Sequence, residues 1–284
     1  MNKNDVLQYL KNNYEQLTGS QKIIGKYVLD NYREVAFLSA IELGEKVGVS
    51  DATIIRFAKS IGFTGFAEFR SNIRDGIKNF DLPHKRLSKN LEIINDKNNL
   101  TMQVGKKDLK NLEEFLLHFD VEKIKQATDA ICGAGTIYLV GIGSSGVLVD
   151  FLALHFRRMG FKVMAVSEGG VVNVEKIMSI AAKDLLIACS FPRYSKPTYH
   201  AINFAKKRGA KVITITDSNF STVSISSDIV FSLPIENATF FNSYIVPMEL
   251  CNMLIISILE NDKERIYTSL EENIQSLEIF DLRL

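Results

Sequence analysis

Apolar and polar positions follow two different rhythms along this chain, and the change falls near residue 110. Before it, apolar residues recur every three or four positions. Ile23, Ile24, Tyr27 and Val28 share one face of residues 21–31, the spacing of an amphipathic helix. Residues 38–47 and 50–61 are two short segments of the same kind, parted by Gly48. Leu43 and Val47 before the glycine, and Val49, Ile54 and Phe57 after it, fall where two short helices pack across a tight turn. Gly44 is small where those helices approach. Ser50 suits the N-cap of the second helix, and Asp51 suits its positive end. A further helix is predicted over 67–77. Phe63 and Phe66, just before it, read as closing a small core. The pair 38–47 and 50–61 has the grammar of a helix-turn-helix.

After residue 110 the pattern changes. Helices are predicted over 112–119 and 121–131. Short apolar runs follow at 137–140, 162–166, 185–189, 212–216 and 229–233, separated by helical stretches at 147–159, 171–182 and 198–208. Continuous apolar strands alternating with helices predict a parallel sheet covered on both faces. The expected fold is therefore an all-α N-terminal domain over 1–79, then an α/β domain over 112–284 with a five-stranded doubly wound parallel sheet of order 2-1-3-4-5. The polar stretch 80–111, with Pro83, reads as the linker. Residues 245–259 are apolar but contain Pro247, Glu249 and Asn252, so they read as a core helix rather than a bilayer span.

Charge narrows the nucleic-acid reading. The net charge of the 284-residue chain is +1, so any DNA contact has to come from a local patch. Residues 1–80 hold 11 Lys/Arg against 9 Asp/Glu. That excess is small for a lone DNA reader and favours a homodimer or homotetramer sharing a two-fold site. Cys132, Cys189 and Cys251 are scattered, with no metal-ligand spacing. No cofactor is expected. The cysteine usage and an N-terminus without an apolar leader fit a cytoplasmic protein.

Two places carry candidate chemistry. In the helix-turn-helix, the second helix would lie in the major groove of double-stranded DNA, presenting Ser50, Asp51, Ala52, Thr53, Arg56 and Lys59. Arg56 suits guanine or a phosphate, and Lys59 a phosphate. In the α/β half, Gly141-Ile142-Gly143-Ser144-Ser145-Gly146 joins the first strand to a helix, where free amides and the helix dipole favour an anion. Its glycines echo a dinucleotide fingerprint, with Glu168 after the second strand, but the acid is not in the usual place. A second loop, Ser190-Phe191-Pro192-Arg193-Tyr194-Ser195, follows the third strand, with Ser195 and Pro197 placed to start the next helix. In the order 2-1-3-4-5 these loops meet at the switch point where ligands bind. Hydroxyls, amides and one guanidinium describe a phosphomonoester site.

Residues 38–69, above all Gly48-Val-Ser-Asp-Ala-Thr-Ile-Ile-Arg-Phe and Ile61-Gly-Phe-Thr-Gly-Phe, resemble the N-terminal domain of the RpiR family of bacterial transcription regulators. The two loops and Lys207-Arg-Gly-Ala-Lys-Val-Ile-Thr-Ile-Thr-Asp217 resemble the sugar isomerase (SIS) domain that follows it there. The resemblance implies an oligomeric regulator of sugar catabolism genes, binding an operator and controlled by a sugar-phosphate effector. By position it implies that Gly143, Ser144, Ser145, Ser190 and Ser195 surround the phosphate. Many SIS domains have Ser-Gly where this chain has Pro192-Arg193; Arg193 either contacts the phosphate directly or narrows the site to another ligand. One alternative is a SIS-type sugar-phosphate isomerase, which needs a base such as His155, His200, Glu168 or Glu249. Another is a constitutive DNA binder whose SIS domain only dimerises. The helix-turn-helix argues against the first and the paired hydroxyl loops against the second.

Overall fold

The computed structural model describes residues 6–80, 87–88, 99–170, 175–219, 221–237 and 239–279. The chain divides into two compact units, the first formed by Met1–Asn98 with Ser218–Thr222 and the second by Asn99–Asp217 with Val223–Leu284. Half of the stretch read as linker, and the start of the helix predicted from residue 171, lie outside the described residues.

The first unit is helical: α1 (Val6–Asn13), α2 (Gly19–Asp30), α3 (Tyr32–Val35), α4 (Ala40–Val47), α5 (Asp51–Ser60) and α6 (Phe66–Phe80). Leu10, Ile24, Val28, Leu43, Ile54 and Phe57 are almost fully buried between them. Phe69 sits among the rings of Phe57, Phe63 and Phe66, with centroids 5.6–5.9 Å away. The phenylalanines close the core, as the sequence predicts.

Helix α4 starts with a reciprocal cap. The Ser39 N–H donates to Glu42 Oε2 at 2.6 Å and the Glu42 N–H to Ser39 Oγ at 3.2 Å. The Ser39 N–H first, and the Ser39 hydroxyl second, hold the Glu42 carboxyl below its usual range, because hydrogen bonds donated to it favour its charged form. The helix ends at Gly48, whose φ of 77° is left-handed, a backbone that side chains resist. A Cβ on Gly44 would stand 2.6 Å from the Val49 carbonyl oxygen. The tight turn between α4 and α5 therefore requires glycine at both positions.

The second unit begins with α7 (Leu100–Leu117) and α8 (Val121–Cys132). The strands are β1 (Ile137–Val140), β2 (Val163–Val166), β3 (Leu185–Cys189), β4 (Lys211–Thr216) and β5 (Ile229–Ser232), interleaved with α9 (Gly146–Arg158) and α10 (Lys196–Lys207) and followed by α11 (Ile245–Asn261) and α12 (Lys263–Ile279). All neighbouring strands are parallel, in the order β2-β1-β3-β4-β5. Side chains alternate across this sheet. Ile137 and Leu139 pack with Leu148, Leu152 and Leu250 of α9 and α11. Tyr138 and Val140 pack with Ala201 and Ile202 of α10. The helices after β1 and β3 thus cover opposite faces, and the crevice between these two strands is the switch point.

Two helices depart from the expected pattern. Helix α7 runs back to Leu100 rather than starting at 112. Its earlier turns expose Met102 and Leu109 and are held instead by polar contacts. The buried Asn111 donates to the Glu236 carbonyl at 2.7 Å, and Lys107 pairs with Glu236 at 2.9 Å. Apolar periodicity cannot report a helix anchored this way. In the described part of 171–182, only 175–177 are helical and turns follow. Asp184 takes the Ala181 N–H at 2.8 Å and the Thr136 N–H at 3.0 Å, which turns the chain into β3. Ile177 and Ile180 remain buried on the α10 face, so the apolar spacing is real but serves a turn.

Candidate functional site

The first loop leaves β1 at Gly141. A Cβ there would meet the Ser145 carbonyl oxygen and Val149 Cγ2 at 2.9 Å and Cys189 Cβ at 3.2 Å. The loop therefore presses against the end of β3, where the second loop begins. Gly143 takes a left-handed φ of 68° and opens a 3-10 turn, Gly143–Ser145, that runs into α9. The free amides of that turn and helix start lie at the carboxyl edge of the sheet.

The predicted hydroxyls fall into distinct environments. Ser144 is exposed, and its Oγ shares a hydrogen bond of 2.8 Å with the Tyr244 hydroxyl. The Tyr244 ring stands edge-on to Phe191, with centroids 5.5 Å apart. One side chain at the start of α11 thus touches both loops. Ser145 and Ser190 are 5% and 2% exposed. Among the described residues, neither hydroxyl has a hydrogen-bond partner. The Ser190 backbone continues the sheet, donating to the Ile215 carbonyl at 3.0 Å. Ser195 does occupy the N-cap of α10 and Pro197 its first turn, but the Ser195 side chain makes no capping bond, contrary to the capping role expected of it.

Arg193 is exposed and has a φ of 75°. Among the described residues it is the only non-glycine in the left-handed region, a conformation costing about 1–3 kcal/mol. The backbone keeps the shape a glycine would favour while carrying a guanidinium. Beside it, the Tyr194 hydroxyl donates to Asp217 at 2.8 Å, tying the second loop to the end of β4.

Sequence reasoning missed two residues here. Tyr244 lies about a hundred positions from Ser144, and no local motif announces it. Thr198, in the first turn of α10, is fully buried with no partner for its Oγ1 among the described residues. A buried orphan hydroxyl is costly, and its spacing three residues after Ser195 was the available clue.

A cavity of about 590 Å³ opens between the carboxyl ends of β1 and β2 and one face of α10. Ile142 of the first loop and Pro197, just past the second, belong to its wall. Of the four candidate bases, Glu168 and His200 line it. His155 instead stacks on Phe151 within α9 at 4.5 Å, and Glu249 accepts from Asn252 on α11 at 3.2 Å. Cys189 and Cys251 are buried in the core, and burial pushes the Cys189 thiol up to about 12 and the Cys251 thiol upward as well. Among the described residues there is no cluster with metal-ligand spacing and no helix long and apolar enough to cross a membrane.

In the first unit, Ser50 caps α5 as predicted, accepting the Thr53 N–H at 3.3 Å. Its Oγ lies 2.9 Å from Thr53 Oγ1, which in turn accepts from Arg56 at 3.1 Å. Ser50, Asp51, Ala52, Arg56 and Lys59 are exposed and Thr53 half-buried. Among the described residues, neither Arg56 nor Lys59 has a carboxylate partner. The opposite face, Ile54, Phe57 and Ala58, is buried. Helix α5 thus offers a polar, basic outer face on a rigid support.

Comparison with known proteins agrees with both halves. Residues 4–79 match the helix-turn-helix domain of the rpiR family, and residues 130–257 match the SIS domain. A helix-turn-helix-type transcriptional regulator of Clostridium perfringens is 26% identical over 95% of this chain and 97% of its own length. The sugar isomerase domain of an RpiR transcription factor from Sphaerobacter thermophilus is 28% identical, covering 63% of this chain and 99% of that one with a TM-score of 0.60. Vibrio vulnificus NanR, solved in complex with ManNAc-6P, is 21% identical, covers 97% of this chain and 99% of that one, and has a TM-score of 0.62; at that identity the likeness speaks for the fold. With the two domains in this order, and with relatives of the same length that are transcriptional regulators, the chain belongs to the RpiR family of helix-turn-helix regulators with a SIS domain.

Proposed function

We propose that the chain is a sugar-phosphate-responsive DNA-binding regulator of carbohydrate metabolism genes. In this reading the domains are 1–79 for DNA and 112–284 for the effector. The observation that carries it is the pair of loops at the switch point. Two adjoining helix starts meet there, with the exposed Ser144 hydroxyl and the Ser145 and Ser190 hydroxyls, which have no hydrogen-bond partner among the described residues, and the second loop adds Arg193. Hydroxyls not engaged within the protein are available to donate, and a phosphate offers several acceptor oxygens. NanR's complex with ManNAc-6P supports a phosphosugar as the class of ligand. Gly143, Ser144, Ser145, Ser190, Arg193 and Ser195 are the proposed effector contacts.

In α5, Ser50, Asp51, Ala52, Thr53, Arg56 and Lys59 are the proposed DNA contacts. A single module with so little excess positive charge reads an operator best as a homodimer or a homotetramer. DNA binding also implies residence in the cytoplasm, beside the chromosome. The test is thermal denaturation of the full chain with a panel of pentose, hexose and amino-sugar phosphates, followed by operator titration with and without any stabilising compound. A ligand present at about 100 times its Kd adds about 2.7 kcal/mol to stability. If no sugar phosphate raises the melting temperature or changes operator affinity, the sensor reading fails.

A further inference from the structure

The cavity beside the loops is poorly matched to a bare sugar. A sugar ring carries a hydroxyl on nearly every carbon, and each needs a partner when taken out of water. The wall is built instead from Val140, Val166, Ile177, Ala201 and Phe204. The first four are 8% exposed or less, so they form a fixed apolar floor rather than a loose surface. Among the described residues, the polar side chains in its wall are those of Glu168 and His200. At about 590 Å³, the space lies within the range of small-molecule sites. Ile142, inside the first loop, and Pro197, two residues past the second, bring its wall up to the phosphate loops.

We infer that the effector is an N-acyl amino-sugar phosphate whose acyl group occupies this cavity. The inference rests on the phosphate reading of the loops and names the ligand class for the same site. An acyl amide brings one donor, one acceptor and a methyl or longer alkyl end. The Glu168 carboxylate is chemically suited to accept from the amide N–H, and the His200 ring N–H to donate to the amide carbonyl. The alkyl end matches the apolar floor. A free amine or a hydroxyl in the same place could also pair with Glu168, but neither carries an alkyl end to cover the apolar floor.

The test is equilibrium binding to the intact protein by calorimetry. The probes are N-acetylhexosamine 6-phosphates of gluco, manno and galacto configuration, their free-amine and 2-hydroxyl counterparts, and inorganic phosphate. At least one N-acetyl compound is expected to bind roughly tenfold or more tightly than its two counterparts, the discrimination an apolar pocket gives for a methyl-sized group. Equal or tighter binding of the counterparts overturns the acyl assignment while leaving the phosphate site standing. Failure of every probe, inorganic phosphate included, overturns the phosphate reading itself. Ala201→Leu, which fills the cavity, and Phe204→Ala, on its half-exposed rim, locate the preference. Each should lower it severalfold with inorganic phosphate binding unchanged. An N-acetyl preference that survives both variants places the acyl group elsewhere and overturns the assignment.

Discussion

At the scale of single residues, backbone conformation separates the positions that are replaceable from those that are not. The Gly44 Cα faces the Val49 carbonyl so closely that any side chain forces α4 and α5 apart. Gly44→Ala should destabilise the first unit by about 1–3 kcal/mol, the usual cost of overpacking. Chemical denaturation and operator binding should both register it. Arg193 presents the reverse case, a side chain held where glycine belongs. Arg193→Gly removes the left-handed strain, so stability should stay level or rise by about 1 kcal/mol. On the proposed reading, binding of the effector phosphate should weaken at the same time. Stability and ligand affinity would then move in opposite directions, and a calorimetric titration beside a melting curve distinguishes this from simple damage. The sequence showed that Arg193 departs from the usual glycine; its φ could not be read from composition, because it is imposed by the loop's closure between β3 and α10.

At the scale of elements, helices and strands were legible wherever one face is apolar and buried. The strands matched to within a residue or two, because each is a short, continuous apolar run between glycine or polar breaks. Helix α5 was legible down to its cap at Ser50. Helix α7 was not, since Asn111 and Lys107 anchor it through Glu236 rather than through an apolar stripe. Of the helix predicted over 171–182, the described residues are helical at 175–177 and turn after that: Ile177 and Ile180 are buried at helical spacing, but Asp184 diverts the backbone. The candidate effector loops could be found in sequence because each is local. Their link through Tyr244 could not, because it joins elements a hundred residues apart. Tyr244→Phe keeps the ring against Phe191 and removes only the bond to Ser144. If a phosphate must displace that bond, its affinity should rise about two- to twelvefold, corresponding to a net hydrogen bond of about 0.5–1.5 kcal/mol. The change in operator affinity on adding ligand should shrink at the same time. A drop in ligand affinity would make the hydroxyl a ligand contact instead.

At the scale of the whole molecule, the order of the two domains was legible from the change of rhythm near residue 110, because helix and strand periods differ. The partition of labour can be tested directly. Arg56→Ala should cost about 1–3 kcal/mol in operator affinity if it reads a base, while Lys59→Ala should weaken specific and random DNA alike and lower the salt slope by about one per subunit. Both variants should leave the melting temperature and effector binding unchanged, since the two side chains are exposed on α5. Unaltered affinity and slope in both would move the DNA-reading face off this helix. Helix α11 packs on α7 and α8, and in sequence α7 is the first helix after the DNA-binding unit. Tyr244 therefore stands at one end of a 17-residue rod, about 25 Å long. On the proposed reading, whatever free energy the ligand spends prising Tyr244 from Ser144 is missing from its own affinity. Responsiveness and sensitivity are then coupled through one shared hydrogen bond: a version of this protein tuned to answer lower concentrations would, by the same substitution, answer them less emphatically.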